Sequence, residues 1–305
     1  MLNPFSDDMR RNPHPMYAQL RASAPVHTRP RGIVTKAFTP RSVTNLEPRI
    51  RALSTELLDR VIERGEMDLT EDLAAPLPMM VMAEMIGMPV DDWQRLRRWS
   101  DTIVNLGSAI MGSAEESQAA SAAFVAANAE MPHRQRHPLP PRAAGELARV
   151  RAAPALVPPA IEEVLRHRSP VQAMFRVTVR DVEMSGQTIP AGKMVLAMIG
   201  SANRDGRQFG DPDRFDLARE PNPHLAFGHG IHFCLGASLS RLEARVALTE
   251  LLARVERLEL ASSEPWPPRQ AFHVHGPTRL PLRFTPGQRR ARPAAQSPVG
   301  SDGPA

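Results

Sequence analysis

The chain has one cysteine, Cys234, within Phe227-Gly228-His229-Gly230-Ile231-His232-Phe233-Cys234-Leu235-Gly236. With no second cysteine there is no internal disulfide, so this thiol is either an inert core group or a chemically used one. Its neighbours favour use. Glycines at 228, 230 and 236 let the backbone turn tightly and approach a flat ligand closely. The following residues, Ala237 to Glu256, set Leu239, Leu242, Val246, Leu248, Leu251, Leu252 and Val255 at helical spacing. The sequence predicts a glycine-turned loop that delivers a thiol to the N-terminal end of a helix. There the helix dipole and the free backbone N–H groups stabilise a thiolate.

Such a thiolate has the chemistry of an axial ligand to haem iron. Two other readings stand beside it. One is a buried free cysteine next to a turn, which packs as a small hydrophobe. The other is a zinc site drawing on His224, His229, His232 and Cys234. That set lacks a CxxC or HxxxH pair, and structural zinc wants four converging ligands. The stretch resembles the haem-binding loop of the cytochrome P450 family: Phe, two residues, Gly, three residues, Cys, one residue, Gly. Phe227, Gly230, Cys234 and Gly236 stand at those positions. The resemblance implies haem b as cofactor and Cys234 as its axial iron ligand.

A chain of 305 residues is long enough for one large domain or two ordinary ones. Its alanine, leucine and arginine richness with few aromatics suits a mostly helical protein. The net charge of +5 comes partly from Arg289, Arg290 and Arg292, and no basic run is interleaved with aromatics, which argues against a nucleic-acid partner. Met1 to Arg10 has two aspartates and no apolar stretch, so it reads as neither signal peptide nor membrane anchor. The most apolar window, Leu73 to Val90, is broken by Pro76, Pro78, Glu84 and Pro89 and is too short to span a bilayer. Methionines 79, 82, 85 and 88 within it are expected on a buried helix face. The expected compartment is the cytoplasm.

Along the chain, residues 1–26 read as a polar start with a short helix around Pro15 to Ala22. Helical pattern covers Ser42 to Glu63 and Asp91 to Ile110. Met131 to Arg142 holds four prolines and one leucine and reads as a linker. Helices are expected again at Gly145 to Ala153 and Ala160 to His167. Phe175 to Val182 and Met194 to Ile199 are short β-type runs, with Ser185-Gly186 and Pro190-Ala191-Gly192 as turns. Residues 200–233 read as loop, and Pro281 to Phe284 as the end of the fold. Composition marks 286–305 as a disordered tail.

The family resemblance extends over most of the chain and is densest from Ala153 to Phe284. It implies a mainly α fold with a small β region, the cytochrome P450 fold in incomplete form. Its domain spans 1–285, with a helical half at 27–131 and a haem-binding half at 146–285. A proline-rich junction, 132–145, replaces the family's long central helix. Glu163 and Arg166 match the family's Glu-x-x-Arg pair, a spacing that also occurs at Glu146 and Arg149. Context favours the first copy, since Pro170, a β run, Asn203-Arg204-Asp205 and Asp211-Pro212-Asp213-Arg214-Phe215 follow it. In the family this pair locks onto an arginine of the later meander, here Arg214 or Arg219. Haem propionates meet Arg or His donors. The resemblance assigns that task to His232 and Arg176, and to His27 and Arg31 in His27-Thr28-Arg29-Pro30-Arg31.

The resemblance further implies a haem-thiolate monooxygenase acting with dioxygen on a small hydrophobic substrate. Electrons would come from a ferredoxin-type partner, docked on a basic surface around Arg241 and Arg245 with Lys36 and Arg41. Two departures qualify this. The family's segment between the equivalents of Val26 and His27 is missing, and no threonine occurs from Ile103 to Val177. The family's acid–threonine pair thus has no counterpart. The alternative is a non-catalytic haem-binding remnant or a degraded helical protein.

Overall fold

Proline sets where several helices begin. The computed structural model describes residues 38–112, 141–262 and 273–290. In it, prolines occupy the first turns of α1 (Pro40–Thr44), α2 (Glu47–Asp59), α3 (Pro76–Met85) and α6 (Val157–His167). A first-turn proline lacks only an N–H that would have no intrahelical acceptor, and its fixed φ suits the helix. This explains a difference from the sequence expectation. The helix expected over Ser42 to Glu63 is two helices, because Pro48 has no N–H with which to continue the ladder from α1. Likewise the helix expected from Ala160 starts at Val157, because Pro158 and Pro159 fit inside the first turn of α6.

The remaining helices are α4 (Trp93–Gly112), α5 (Pro141–Ala152), the single turn α7 (Ile199–Ala202) and α8 (Ala237–Arg254). α5 starts at Pro141, so the last two residues of the proline-rich stretch are helical. Residues 131–140 lie outside the described residues, as do the short helix expected near Pro15, and His27, Arg31 and Lys36.

α8 is the wall between two apolar clusters. One side, with Leu239, Leu242, Val246 and Leu251, packs against Ile50, Leu53, Leu57 and Leu58 of α2 and Leu77, Met80 and Val81 of α3. The other side, with Ala244, Leu248 and Leu252, packs against Val157 and Ile161 of α6, Val150 of α5 and Leu217. The buried side of α3 is Leu77, Met80, Val81 and Ala83, not the methionine series 79, 82, 85, 88, whose members are only part-buried. A three-residue spacing drifts off one face of a helix with 3.6 residues per turn.

Three short antiparallel sheets complete the architecture. β1 (Glu66–Asp68), β7 (Pro281–Thr285) and β6 (Glu256–Leu260) form one in the order β1-β7-β6, with Met67 opposite Leu282. Leu282 and Phe284 of β7 turn into the core while their neighbours face out, the period-two signature of a strand. β2 (Met174–Val177) pairs with β5 (Met194–Ala197). β3 (Val182–Met184) and β4 (Gln187–Ile189) form a hairpin whose turn residues, Ser185 and Gly186, have φ of 51° and 76°. Positive φ at both turn positions matches the twist of a tight hairpin.

The first residues of the expected disordered tail, 286–290, make defined contacts with the fold. The Gly287 N–H donates to Ile62 O at 3.0 Å, and Arg290 Nη1 reaches Glu250 Oε2 at 2.7 Å. Residues 291–305 lie outside the described residues. Among the described residues no helix is long and apolar enough to cross a membrane.

Candidate functional site

The loop before α8 is closed by its own backbone. Gly228 and Gly230 adopt φ of 75° and 67°, conformations costly for any residue with a Cβ. These turns let the Cys234 N–H donate to Phe227 O at 2.8 Å. A single 3-10 turn, Gly230–His232, lies between them. Cys234 O then accepts from Ala237 N at 3.3 Å, and the Ser240 N–H to Gly236 O bond at 2.8 Å opens the helix ladder. Cys234 therefore sits one short step before the N-terminus of α8, and it is exposed. Ile231 and Phe233 are solvent-facing beside it.

Beneath the loop a polar group supports Phe227. The Arg241 guanidinium lies 4.5 Å from the centroid of the Phe227 ring. It also donates to both oxygens of Glu162, at 2.7 and 2.8 Å. Glu162 Oε2 is 2.9 Å from Nε2 of the buried His224, whose Nδ1 accepts from the Ala226 N–H at 3.2 Å. Desolvation works to raise Glu162, but hydrogen bonds from Arg241 and His224 outweigh it and hold it at about 2.

Glu163 and Arg166, one turn apart on α6, form a two-point charge pair at 2.8 Å for each bond, with side chains 1% and 0% exposed. No donor of Arg166 is wasted. It bonds the carbonyls of Asn203 (2.9 Å), Pro212 (2.8 Å) and Arg214 (3.0 Å). Glu163 accepts further from the Asp216 N–H at 2.8 Å, Asn222 Nδ2 at 3.2 Å and Arg219 Nε at 3.3 Å. Desolvation would raise the Glu163 carboxyl, yet these donors, Arg166 foremost, leave it lowered. Of the two meander arginines, Arg219 is the one whose side chain reaches the pair. Arg214 contributes its backbone carbonyl, and its own guanidinium lies near Asp216 at the surface. The second copy, Glu146 with Arg149, is a surface pair at 2.7 Å.

Asn203 joins this pair to the cysteine loop, a role the sequence reading did not single out. Its carbonyl accepts from Arg166, its Nδ2 donates to Ser169 Oγ at 2.7 Å, and its Oδ1 accepts from the Leu225 N–H at 2.7 Å. Asn203 is fully buried. A lone Asn between a helix and a loop carries no sequence signal of burial. Glu162 was overlooked for a similar reason, since its partners Arg241 and His224 are far from it in the chain.

The other expected contacts are less gathered. Arg176 on β2 and His232 at the end of the 3-10 turn are both exposed. Arg176 Nη1 donates to Phe175 O at 2.6 Å. The basic surface expected around Arg241 and Arg245 is largely neutralised: Glu162 holds the first, and Glu47 accepts from Arg245 at 2.7 Å. A groove of about 330 Å³ between α1, α6 and α8 is lined by both arginines, with Val43 and Ile161 on its apolar part.

The donor set suits one metal ligand rather than several. Among the described residues no three His, Cys, Asp or Glu side chains converge to hold an ion. A tetrahedral zinc site needs such a group, whereas haem iron needs a single protein ligand. The exposed thiol at a helix start, with Ile231 and Phe233 facing solvent beside it, fits the rim of a flat apolar cofactor.

Comparison with known proteins points one way. A family model described as Cytochrome P450 matches residues 154–279. Cytochrome P450 107B1 of Saccharopolyspora erythraea is 37% identical over 331 residues, covering 92% of this chain and 78% of that protein. Among solved structures, the himastatin-biosynthesis hydroxylase HmtN superposes with a TM-score of 0.68 at 36% identity, covering 84% of this chain and 79% of that one. P450BioI, solved with a fatty-acid-ligated acyl carrier protein, gives 0.67 at 31% identity, covering 82% and 77%.

Proposed function

The chain belongs to the cytochrome P450 family, a family of monooxygenases, and from that premise we propose that it is a haem-thiolate protein of the soluble bacterial type. The observation that carries this reading is the exposed Cys234 thiol, held by a closed glycine-turned loop at the start of α8. Cys234 would be the axial iron ligand. Arg176 and His232, both exposed, would pair with the propionates, joined by His27 and Arg31 from the segment outside the described residues. Phe227, Gly230 and Gly236 would shape the loop against the macrocycle.

Haem b, when bound, supplies dioxygen activation and the oxidising power for a C–H bond. The contribution of the chain is to hold and orient it. Glu163, Arg166, Arg219 and Asn203 brace the meander and the root of the cysteine loop, and so act structurally. A small hydrophobic substrate, a ferredoxin-type electron donor and a cytoplasmic location complete the proposal. The acyl-carrier complex of P450BioI makes a carrier-borne acyl chain a reasonable member of the substrate panel.

A second reading has its own support. The absence of threonine from Ile103 to Val177 favours a haem-binding remnant with little catalysis. Both readings share the iron ligand, and one experiment tests it. The reduced protein exposed to carbon monoxide should show the red-shifted Soret band of a thiolate-ligated haem. Cys234→Ser and Cys234→His should abolish that band, and a band unchanged in either variant refutes the assignment.

A further inference from the structure

The group under the cysteine loop has no part in the proposal so far, yet its geometry is specific. Arg241 lies one turn into α8 and faces the ring of Phe227, the residue whose carbonyl closes the loop on the Cys234 N–H. A guanidinium over an aromatic face is attracted by the ring quadrupole, and Arg can stack there while still using its fork for hydrogen bonds. Here the fork is occupied by Glu162, which sits on a different helix, α6, and is itself steadied by buried His224. Glu162 is the chief cause that raises the Arg241 pKa, desolvation opposes it, and the Cys234 side chain adds a smaller Coulombic contribution of the same sign as Glu162. Arg241 is thus a fixed cation against the ring of the residue that closes the loop, pinned in two directions.

We propose that Arg241 is a positioning residue for Cys234. Oriented by Glu162, it clamps the Phe227 ring, holds the 227–236 loop closed, and fixes a positive charge against that loop. The clamp explains why Arg241 is committed to Phe227 and Glu162 rather than serving as a free docking charge. The proposal rests on the reading of Cys234 as iron ligand for its electronic part, whereas the mechanical part concerns this chain alone.

The two parts separate in one experiment on the haem-loaded protein. Amide hydrogen exchange is followed by peptides over 227–236 and over the β1-β7-β6 sheet, and the haem reduction potential is measured beside it. Arg241→Ala should speed exchange in 227–236 by about fivefold to tenfold, since a cation–π contact and its charge partner are lost together. The sheet should exchange as before, and the potential should become more negative, because a positive charge that favours the reduced state is gone. Arg241→Lys keeps the charge but not the planar fork, so it should restore the potential and leave the loop exchanging fast. Glu162→Gln, which keeps the shape at 162, should speed the loop by a smaller factor and serves if Arg241→Ala does not accumulate.

Loop exchange and potential both unchanged in the variants would overturn the proposal. Faster exchange spread evenly over loop and sheet would also overturn it, since that marks general destabilisation. A wild-type chain without the thiolate-type carbon monoxide band refutes the iron-ligand reading instead. The exchange comparison run on that same chain would still decide the clamp.

Discussion

At the scale of single residues, the buried charges decide most. Arg166 and Glu163 satisfy each other and six further backbone or side-chain groups, so removing one strands the other in a dry interior. Breaking a buried pair in this way costs about 3–5 kcal/mol. Glu163→Ala should therefore give insoluble or cofactor-free protein. Glu146→Ala, at the exposed copy, should shift stability by only about 0.5 kcal/mol. Solubility and urea midpoints of the two variants provide the check. Glu243 on α8 makes a different case. Burial without a counter-charge among the described residues pushes its carboxyl up to about 7, from an ordinary 4.5. Below pH 4.5 it is protonated folded or unfolded and has no effect. As pH climbs from 4.5 through 7, the unfolded chain releases its proton first, so the native state loses stability, fully above 7. At about 1.4 kcal/mol per pH unit over this shift the loss is about 3.5 kcal/mol at most. Glu243→Gln should recover about 2–3 kcal/mol at pH 8 and nothing at pH 4, read from urea midpoints at both. Neither effect was open to the same degree in the sequence. The choice of Glu163 over Glu146 followed from the motifs downstream, but Arg219 over Arg214 is a matter of reach across a folded meander. Glu243 shows only as one more charge on a helix, because desolvation is a property of packing.

At the scale of elements, α8 and the segment after β7 are joined by ion pairs that no local pattern announces. Glu250 of α8 is 5% exposed and divides its two oxygens between Arg51 of α2, at 2.5 Å, and Arg290, at 2.7 Å. The Arg290 N–H also donates to Asp59 Oδ1 at 3.2 Å, and Arg254 reaches Asp59 and the Thr55 carbonyl. Residues 286–290 are thereby strapped across the ends of α2 and α8. Arg290→Ala would leave one oxygen of a buried carboxylate without its partner, a loss of about 1–3 kcal/mol. Arg289→Ala removes only an exposed pair with Glu63 and should cost under about 1 kcal/mol. Thermal unfolding midpoints should rank the two variants in that order, and equal midpoints would show that the strap bears no load. Helices were the legible elements, because α2, α4 and α8 carry apolar residues at a clear period. β1 has three residues and β6 pairs through an irregularity near Glu256 and Glu259, so neither shows alternation in sequence. The strap was hidden by its own composition: prolines, glycines and arginines read as disorder until Glu250 and Asp59 are brought beneath them.

At the scale of the whole molecule, one helix follows directly on the thiol loop, divides two apolar clusters and anchors the strap, so the thiol side is well braced. The opposite side is where activity will be limited. Proton delivery during dioxygen chemistry needs a positioned hydroxyl and acid, and such general acid catalysis is worth about 10²–10⁴-fold. The family draws these from its central helix, yet here the only threonines flanking the region are Thr102, which donates to Arg98 O at 2.8 Å, and Thr178, which donates to Pro190 O at 2.6 Å. Thr178 belongs to the loop after β2, and Thr102 to α4, which packs against α3. Without a hydroxyl and acid positioned for proton delivery, reducing equivalents would be diverted into peroxide instead of product. This 305-residue chain should therefore hold haem more readily than it hydroxylates. With a surrogate ferredoxin chain and a panel of hydrophobic and carrier-borne acyl substrates, product per reducing equivalent should stay far below one, with peroxide making up the difference. Tight coupling on any substrate of the panel would contradict this and would require that a residue outside the family's acid–threonine pair deliver the proton.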